Sequence, residues 1–191
     1  MDSQFTDLVE RARAAVIVKD VGGYCVYASR REEELRGAGR GELMGRHITE
    51  LVNADPRLVE REFERQKQDG TWVGQYTTRD ATGSMVRLRT YNFTHLEWDG
   101  NALYVSFGYV LKPHTRHDRD GPVRLTGSGL STANLCTAQF CVDGYSDDEI
   151  GILLGLPLER VRDLVASFLH HTGAKSRTEA CVRALKSGIA V

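Results

Sequence analysis

Apolar and polar positions alternate along this chain in two rhythms, and the rhythm changes from strand-like to helix-like about two thirds of the way along. Phe5 to Ala14 carries Phe5, Leu8, Val9 and Ala12 on one side, the spacing of a short amphipathic helix. Ala15 to Lys19 and Tyr24 to Ala28 read as two strands around Asp20-Val21-Gly22-Gly23, a turn signal. Arg30 to Arg36 reads as a short helix, Gly41 to Gly45 as a turn into a helical step, and His47 to Val52 carries Ile48, Leu51 and Val52. Asp55-Pro56 opens a charged helix over Arg57 to Gln68 with Leu58, Val59 and Phe63 as its apolar side, and Gly70 ends it. Three strands follow, Val73 to Arg79, Val86 to Leu96 and Ala102 to Val110, with turns at Asp80-Ala81-Thr82-Gly83 and Asp99-Gly100.

After a polar stretch the pattern becomes helical from Leu130 onward. Gly144 closes a first helix. Ser146 opens a second as S-x-x-E with Glu149, a capping box in which each side chain satisfies an orphan amide. That helix ends near Gly155, and Pro157 starts a third carrying Leu158, Val161, Val165, Phe168 and Leu169 at helical spacing. Gly173 stops it. Ser176 and Glu179 repeat the S-x-x-E signal before a fourth helix expected to bury Ala180, Val182 and Leu185 in some combination. Between the two regions, residues 112–129 are rich in Pro, Gly and polar residues and read as a linker, giving domains at 1–111 and 130–191. The fold class is therefore α+β, an antiparallel five-stranded sheet with helices followed by an all-α four-helix unit.

The wording of both regions resembles known families. Leu130, Gly144, Ser146, Glu149, Ile150, Leu154, Gly155, Val161, Val165, Gly173 and the run Ser176-Arg177-Thr178-Glu179-Ala180 resemble the LuxR-type (GerE-like) helix-turn-helix domain, without a gap over about sixty residues. Asp20-Val21-Gly22-Gly23 followed by Tyr27-Ala28-Ser29, with serine where the family has asparagine, resembles the PAS domain, as does Gly41-Glu42-Leu43-Met44-Gly45-Arg46. The resemblance implies a bacterial transcriptional regulator in which a PAS sensor controls DNA binding by a LuxR-type domain. It implies DNA contacts from Arg160, Arg162, Lys175 and Arg177, and a homodimer joined through Phe5, Leu8 and Val9 of the first helix, with the fourth effector helix as a second surface. Trp72, Tyr76, Tyr91 and Tyr104 are expected to line an apolar pocket for a small-molecule ligand, set against ordinary sheet packing.

Charge opens a rival reading. DNA affinity rests first on phosphate neutralisation by Lys and Arg. From Leu130 to Val191 there are six basic residues against seven acidic ones, a net charge of −1. The turn that usually reads S-N-K-E is here Ser146-Asp147-Asp148-Glu149, Leu164 stands where the family prefers histidine, and Asn134 where it prefers glutamate. Of the outward third-helix positions Arg162, Asp163 and Ala166, only Arg162 offers a bidentate guanine contact. The alternative is a regulator that keeps the fold, binds little DNA and acts on a protein partner. The linker, net +2 from Lys112, Arg116, Arg119 and Arg124 against Asp118 and Asp120, has two readings, a basic arm that tracks a DNA backbone and partly offsets the acidic domain, or a simply solvated stretch.

Composition narrows the field further. Apolar content of 41 % and charged content of 27 % belong to an ordinary globular protein. No apolar run approaches the ~18 residues that a span requires, and the acidic N-terminus is unlike a secretory signal. Cys25, Cys136, Cys141 and Cys181 form no C-x-x-C pair and read as reduced thiols of a cytoplasmic protein. Haem is disfavoured because residues 55–68 hold no histidine, with His47 before the helix and His95 on a strand. Adduct-forming flavin is disfavoured because Asn53-Ala54-Asp55-Pro56 lacks its cysteine stretch, and no cofactor is assigned. His114, His117, His170 and His171 lack the carboxylates or cysteines that would complete a metal site. No nucleotide loop, nucleophile elbow or phosphoacceptor pattern is present, so no enzyme activity is expected.

Overall fold

The structure, a computed structural model, describes residues 2–52, 55–98, 100–111, 123–124 and 130–191. The elements in chain order are α1 (Ser3–Arg11), β1 (Ala15–Lys19), β2 (Cys25–Ala28), α2 (Arg30–Arg36), α3 (Ile48–Leu51), α4 (Pro56–Asp69), β3 (Thr71–Arg79), β4 (Met85–Trp98), β5 (Asn101–Leu111), β6 (Val123–Arg124), α5 (Thr132–Val142), α6 (Asp147–Leu154), α7 (Leu158–Thr172) and α8 (Arg177–Ser187). The sheet is antiparallel in the order β2-β1-β5-β4-β3-β6. The five expected strands are all present. The sixth comes from inside the expected linker, where Val123 and Arg124 pair with Gln75 and Gly74 on the β3 edge. The rest of that linker, 112–122 and 125–129, with its basic arm and His114 and His117, lies outside the described residues.

Local chemistry sets the turns. In the β1–β2 connection Asp20 Oδ1 accepts from the amides of Gly22 (2.9 Å) and Tyr24 (3.0 Å). Gly23 takes φ +84°, and a Cβ there would sit 2.9 Å from His47 Nε2, so both the backbone and the neighbouring ring demand glycine. The Gly41–Arg46 step lies along β2: the Gly45 amide donates to Cys25 O (2.8 Å), the Cys25 amide donates to Arg46 O (2.9 Å), and Leu43 is buried.

Strand alternation divides the side chains between two unlike faces of the sheet. On one face, Ala15, Ile17, Thr90, Asn92, Ser106, Trp72 and Tyr76 look toward α2, α3 and α4. On the other, Val16, Val18, Val73, Tyr91, Phe93, Val105, Phe107 and Tyr109 join a core that continues without a break into the C-terminal helices. Helix α5 is the centre of that core. Eight of its eleven residues, Asn134 to Cys141, are buried, as expected of a helix apolar on nearly all sides. The Phe140 ring meets Phe93 (6.1 Å), Phe107 (5.0 Å) and Tyr145 (5.8 Å) edge-on.

Polar groups fix the same contact. Tyr91 Oη donates to Gln139 Oε1 (3.0 Å), and the Tyr109 hydroxyl donates to the Asp143 carboxylate. Gln139 also exchanges hydrogen bonds with the backbone of Val191, and Arg89 donates to Gly188 O (2.7 Å). Helix α1 closes the edge: Tyr145 Oη donates to Leu8 O (3.0 Å), and Arg11 pairs with Glu149 (2.5 Å).

The helical unit keeps its expected punctuation with two corrections. Ser146 and Glu149 form the full capping box, and Gly155 and Gly173 adopt left-handed caps. At the second S-x-x-E, Ser176 Oγ caps Glu179, but Glu179 Oε2 accepts from the Lys175 amide (2.9 Å), so the box is displaced by one residue. Helix α8 buries Ala180 and Ala184, whereas Val182 and Leu185, expected in the core, are about half exposed. The small alanines form the packed face because α8 lies close against its neighbours.

Candidate functional site

Helices α2, α3 and α4 do not fill the space above their face of the sheet. They leave a cavity of about 100 Å³. Its floor is one cross-strand row set by register, Ile17 opposite Ser106, Ser106 opposite Asn92, and Asn92 opposite Trp72. Its roof includes Val59, Glu62, Phe63 and Gln66 of α4, and its wall includes Glu32 and Arg36 of α2.

The polar groups here are buried and mostly linked. Lys19 Nζ donates to Ser106 Oγ (2.7 Å) and Gln66 Oε1 (3.2 Å), and Ser106 Oγ donates to Asn92 Oδ1 (2.6 Å). Asn92 Nδ2 donates to Trp72 O (3.3 Å). Gln66 Nε2 reaches the carbonyls of Phe93 and Val105, both at 3.2 Å, and so ties α4 to two strands at once. Arg36 Nε donates to Glu32 Oε1 (2.9 Å), Nη1 to Thr78 Oγ1 (2.8 Å) and Nη2 to Tyr76 Oη (3.4 Å). Burial in an apolar surround disfavours the ammonium of Lys19 and brings its pKa down to about 7, against the smaller opposing pull of Glu32 and Cys25. Burial likewise raises the Tyr76 phenol. The indole Nε1 of Trp72 is buried without a hydrogen-bond partner.

Two of the four expected ligand residues, Trp72 and Tyr76, line the cavity. Tyr91 does not: its odd-numbered place on β4 turns it to the opposite face, where it bonds Gln139 of α5. Tyr104 shares the cavity side but lies outside the lining, its ring edge-on to Phe63 (5.2 Å). Lys19, Gln66, Asn92 and Ser106 were not anticipated. Alternation held the signal for Lys19, since Ala15, Ile17 and Lys19 fall on one face of β1.

The expected DNA contacts divide similarly. Arg160 and Arg162 stand exposed on the outer side of α7 with Asp163 and Ala166, and Arg160 lies 3.9 Å from Asp163. Lys175 is exposed just before α8. Arg177 is engaged within the chain, donating to the Asp147 carboxylate and to Tyr145 O, which joins the start of α8 to the start of α6. Phe5, Leu8 and Val9, expected at a dimer interface, are 1 %, 5 % and 0 % exposed, because the sheet and the C-terminal helices cover them. His95, on β4, packs with its ring tilted against Phe5 (4.7 Å between centroids), and burial lowers its pKa. Among the described residues no cluster of three or more His, Cys, Asp or Glu could hold a metal, and no helix is long and apolar enough to cross a membrane.

An antiparallel sheet in the order β2-β1-β5-β4-β3, with small helices and one longer helix enclosing a cavity on one face, defines an α+β fold of the helix-covered single-sheet class. A family model described as the PAS fold matches residues 3–107, and the chain belongs to that family. No curated protein matches the chain in sequence. Among solved structures, the PAS domain of an HTR-like protein from Haloarcula marismortui is 17 % identical, with a TM-score of 0.50 over 57 % of this chain and 90 % of that one. A PAS domain from Desulfitobacterium hafniense is 13 % identical, with a TM-score of 0.50 over 55 % of this chain and 99 % of that one. The Vibrio cholerae VqmA dimer, described among LuxR-type receptors, is 17 % identical, with a TM-score of 0.49 over 99 % of this chain and 89 % of that one. At such identities the likeness bears on fold alone.

Proposed function

We propose that this chain is a cytoplasmic, signal-responsive transcriptional regulator in which the PAS domain controls DNA binding by a LuxR-type helix-turn-helix unit, α5 to α8. The observation that carries the reading is the placing of α5. It is buried against the face of the PAS sheet opposite the cavity, while the outer side of α7 stays open to solvent. A short helix, a turn at Gly155 and a longer exposed helix are the parts such a unit needs. Arg160, Arg162 and Lys175 supply phosphate and base contacts, and Arg177 holds the unit together. The exposed Val182 and Leu185 of α8 offer a surface for a second copy. A small molecule in the cavity acts through Gln66 on the strand carbonyls of Phe93 and Val105. The Phe93 ring, on the reverse face, touches Phe140 of α5, so the two faces share one backbone. The signal is a population shift in how the effector helices are held.

The test is binding of the full chain to duplex DNA at low and physiological salt, beside an Arg160→Ala, Arg162→Ala double variant. Each phosphate contact adds about 0.9 to the slope of log K against log salt, so the double variant loses a slope of up to about 2. A second reading is favoured by one observation: Asp147 occupies Arg177, and Asp163 lies beside Arg160. In that reading the unit binds a protein partner. It predicts a folded protein with no salt-dependent DNA affinity and a partner recovered with it from cells.

A further inference from the structure

The cavity carries a charge imbalance that the fold itself does not explain. Four charged side chains line it, Lys19, Glu32, Arg36 and Glu62, together with the Tyr76 phenol. Glu32 and Arg36 neutralise each other at 2.9 Å. Glu62 is engaged from the outside by Arg65 (3.2 Å) and Arg61 (3.6 Å). Lys19 has no carboxylate in contact: its ammonium touches two neutral oxygens and lies 5.3 Å from the centre of the Phe63 ring. A lone buried ammonium is costly: it sheds its proton more readily, or it is met by a counter-charge from elsewhere. On the same row, Trp72 is 6 % exposed and its indole N–H has no acceptor. The neutral acceptors nearby are already used, Asn92 Oδ1 by Ser106 and Gln66 Oε1 by Lys19. What Lys19 and Trp72 lack is a negatively charged acceptor in contact, since Glu32 and Glu62 are held by arginines. Its volume of about 100 Å³ compares with the roughly 150 Å³ of an engineered cavity that takes benzene, which limits the guest to about one ring.

We propose that the ligand of this cavity is a small organic anion of about one ring's size, a carboxylate or its equivalent, held by the Lys19 ammonium with the Trp72 indole N–H as second donor. The inference rests on reading the cavity as the sensor site and names the chemistry of its occupant. The charged and titratable groups that share the cavity with Lys19 or couple to it are Glu32 and Arg36 from α2, Glu62 from α4, Cys25 from β2 and Tyr76 from β3. In the empty protein burial outweighs them and lowers Lys19 to about 7, so an arriving anion raises it again and draws a proton from solvent.

The test is titration calorimetry of the full chain at pH 8 with sodium benzoate and with its neutral isostere benzamide, in two buffers of different ionisation enthalpy. Benzoate is expected to bind with uptake approaching one proton, and benzamide at least tenfold more weakly with no uptake. Lys19→Met is expected to lose at least tenfold in benzoate affinity together with the proton uptake. Trp72→Phe is expected to lose several-fold and keep the uptake. The buffer comparison on the unaltered protein stands even where a variant fails to fold. Equal binding of both compounds without proton uptake would overturn the anion and leave the cavity as a ligand site. Entry of neither compound would overturn the ligand site as well.

Discussion

The two faces of one sheet differ in how they are filled. The face toward α5 is dense: Phe93 and Phe107 meet Phe140, which meets Tyr145, and Tyr91 and Tyr109 meet each other edge-on. The face toward α4 holds a smaller apolar cluster, Ile17, Cys25, Ala28, Leu43, Ile48 and Leu51, beside a cavity whose buried polar groups gather around Lys19. Close packing makes the first a structural joint, since losing even part of a ring there opens a void. Polar burial makes the second adjustable, because its hydrogen bonds can be traded for those of a guest. One strand serves both, with Asn92 facing the cavity and Phe93 facing α5.

The sharpest blow to the dense face is Phe140→Ala. Removing a fully buried ring costs about 3–5 kcal/mol, so urea unfolding of the whole chain shifts to a much lower midpoint. A loss below about 1 kcal/mol would mean that α5 is not the joint.

Lys19→Met has the opposite sign. Replacing the buried cation by an apolar chain of similar length stabilises the empty protein by about 2 kcal/mol at pH 7. The pH dependence follows from the lowered pKa. Between about 7 and 10.5 the unfolded chain holds the Lys19 proton and the native chain does not, so stability rises with pH. The cost of Lys19 is fully present below about 7 and fades as pH climbs toward 10.5. Urea titrations of both proteins across that window check it: the advantage of Lys19→Met shrinks steadily with pH.

The smallest effect is Tyr91→Phe, which removes one hydrogen bond to Gln139 across the joint and costs about 1 kcal/mol.

Much of this contrast was legible in the residues. The period-2 strands, the Asp20–Gly23 turn and the Ser146–Glu149 capping box follow from local chemistry, and each stands where the pattern puts it. What local pattern does not carry is which apolar surface meets which. The stripe of Phe5, Leu8 and Val9 marks a face that will be covered, yet a second copy and the chain's own sheet satisfy it equally well. Of Ala180, Val182 and Leu185, whose spacing suits burial in some combination, only Ala180 is buried, and Ala184 joins it in place of the two larger side chains. In the cavity, aromatic type pointed to four residues, but parity along β4 sends Tyr91 to the far face. Lys19 was hidden because a terminal lysine of a strand ordinarily reaches solvent.

The claim that the two faces communicate through the strands is tested most directly by hydrogen exchange on the full chain, comparing the wild-type protein with Gln66→Leu. That change removes the donor to the carbonyls of Phe93 and Val105 without touching the α5 side of the sheet. The account predicts faster exchange in α5, residues Thr132–Val142, as well as in α4. Faster exchange confined to α4 and the cavity strands, with α5 unchanged, would contradict it.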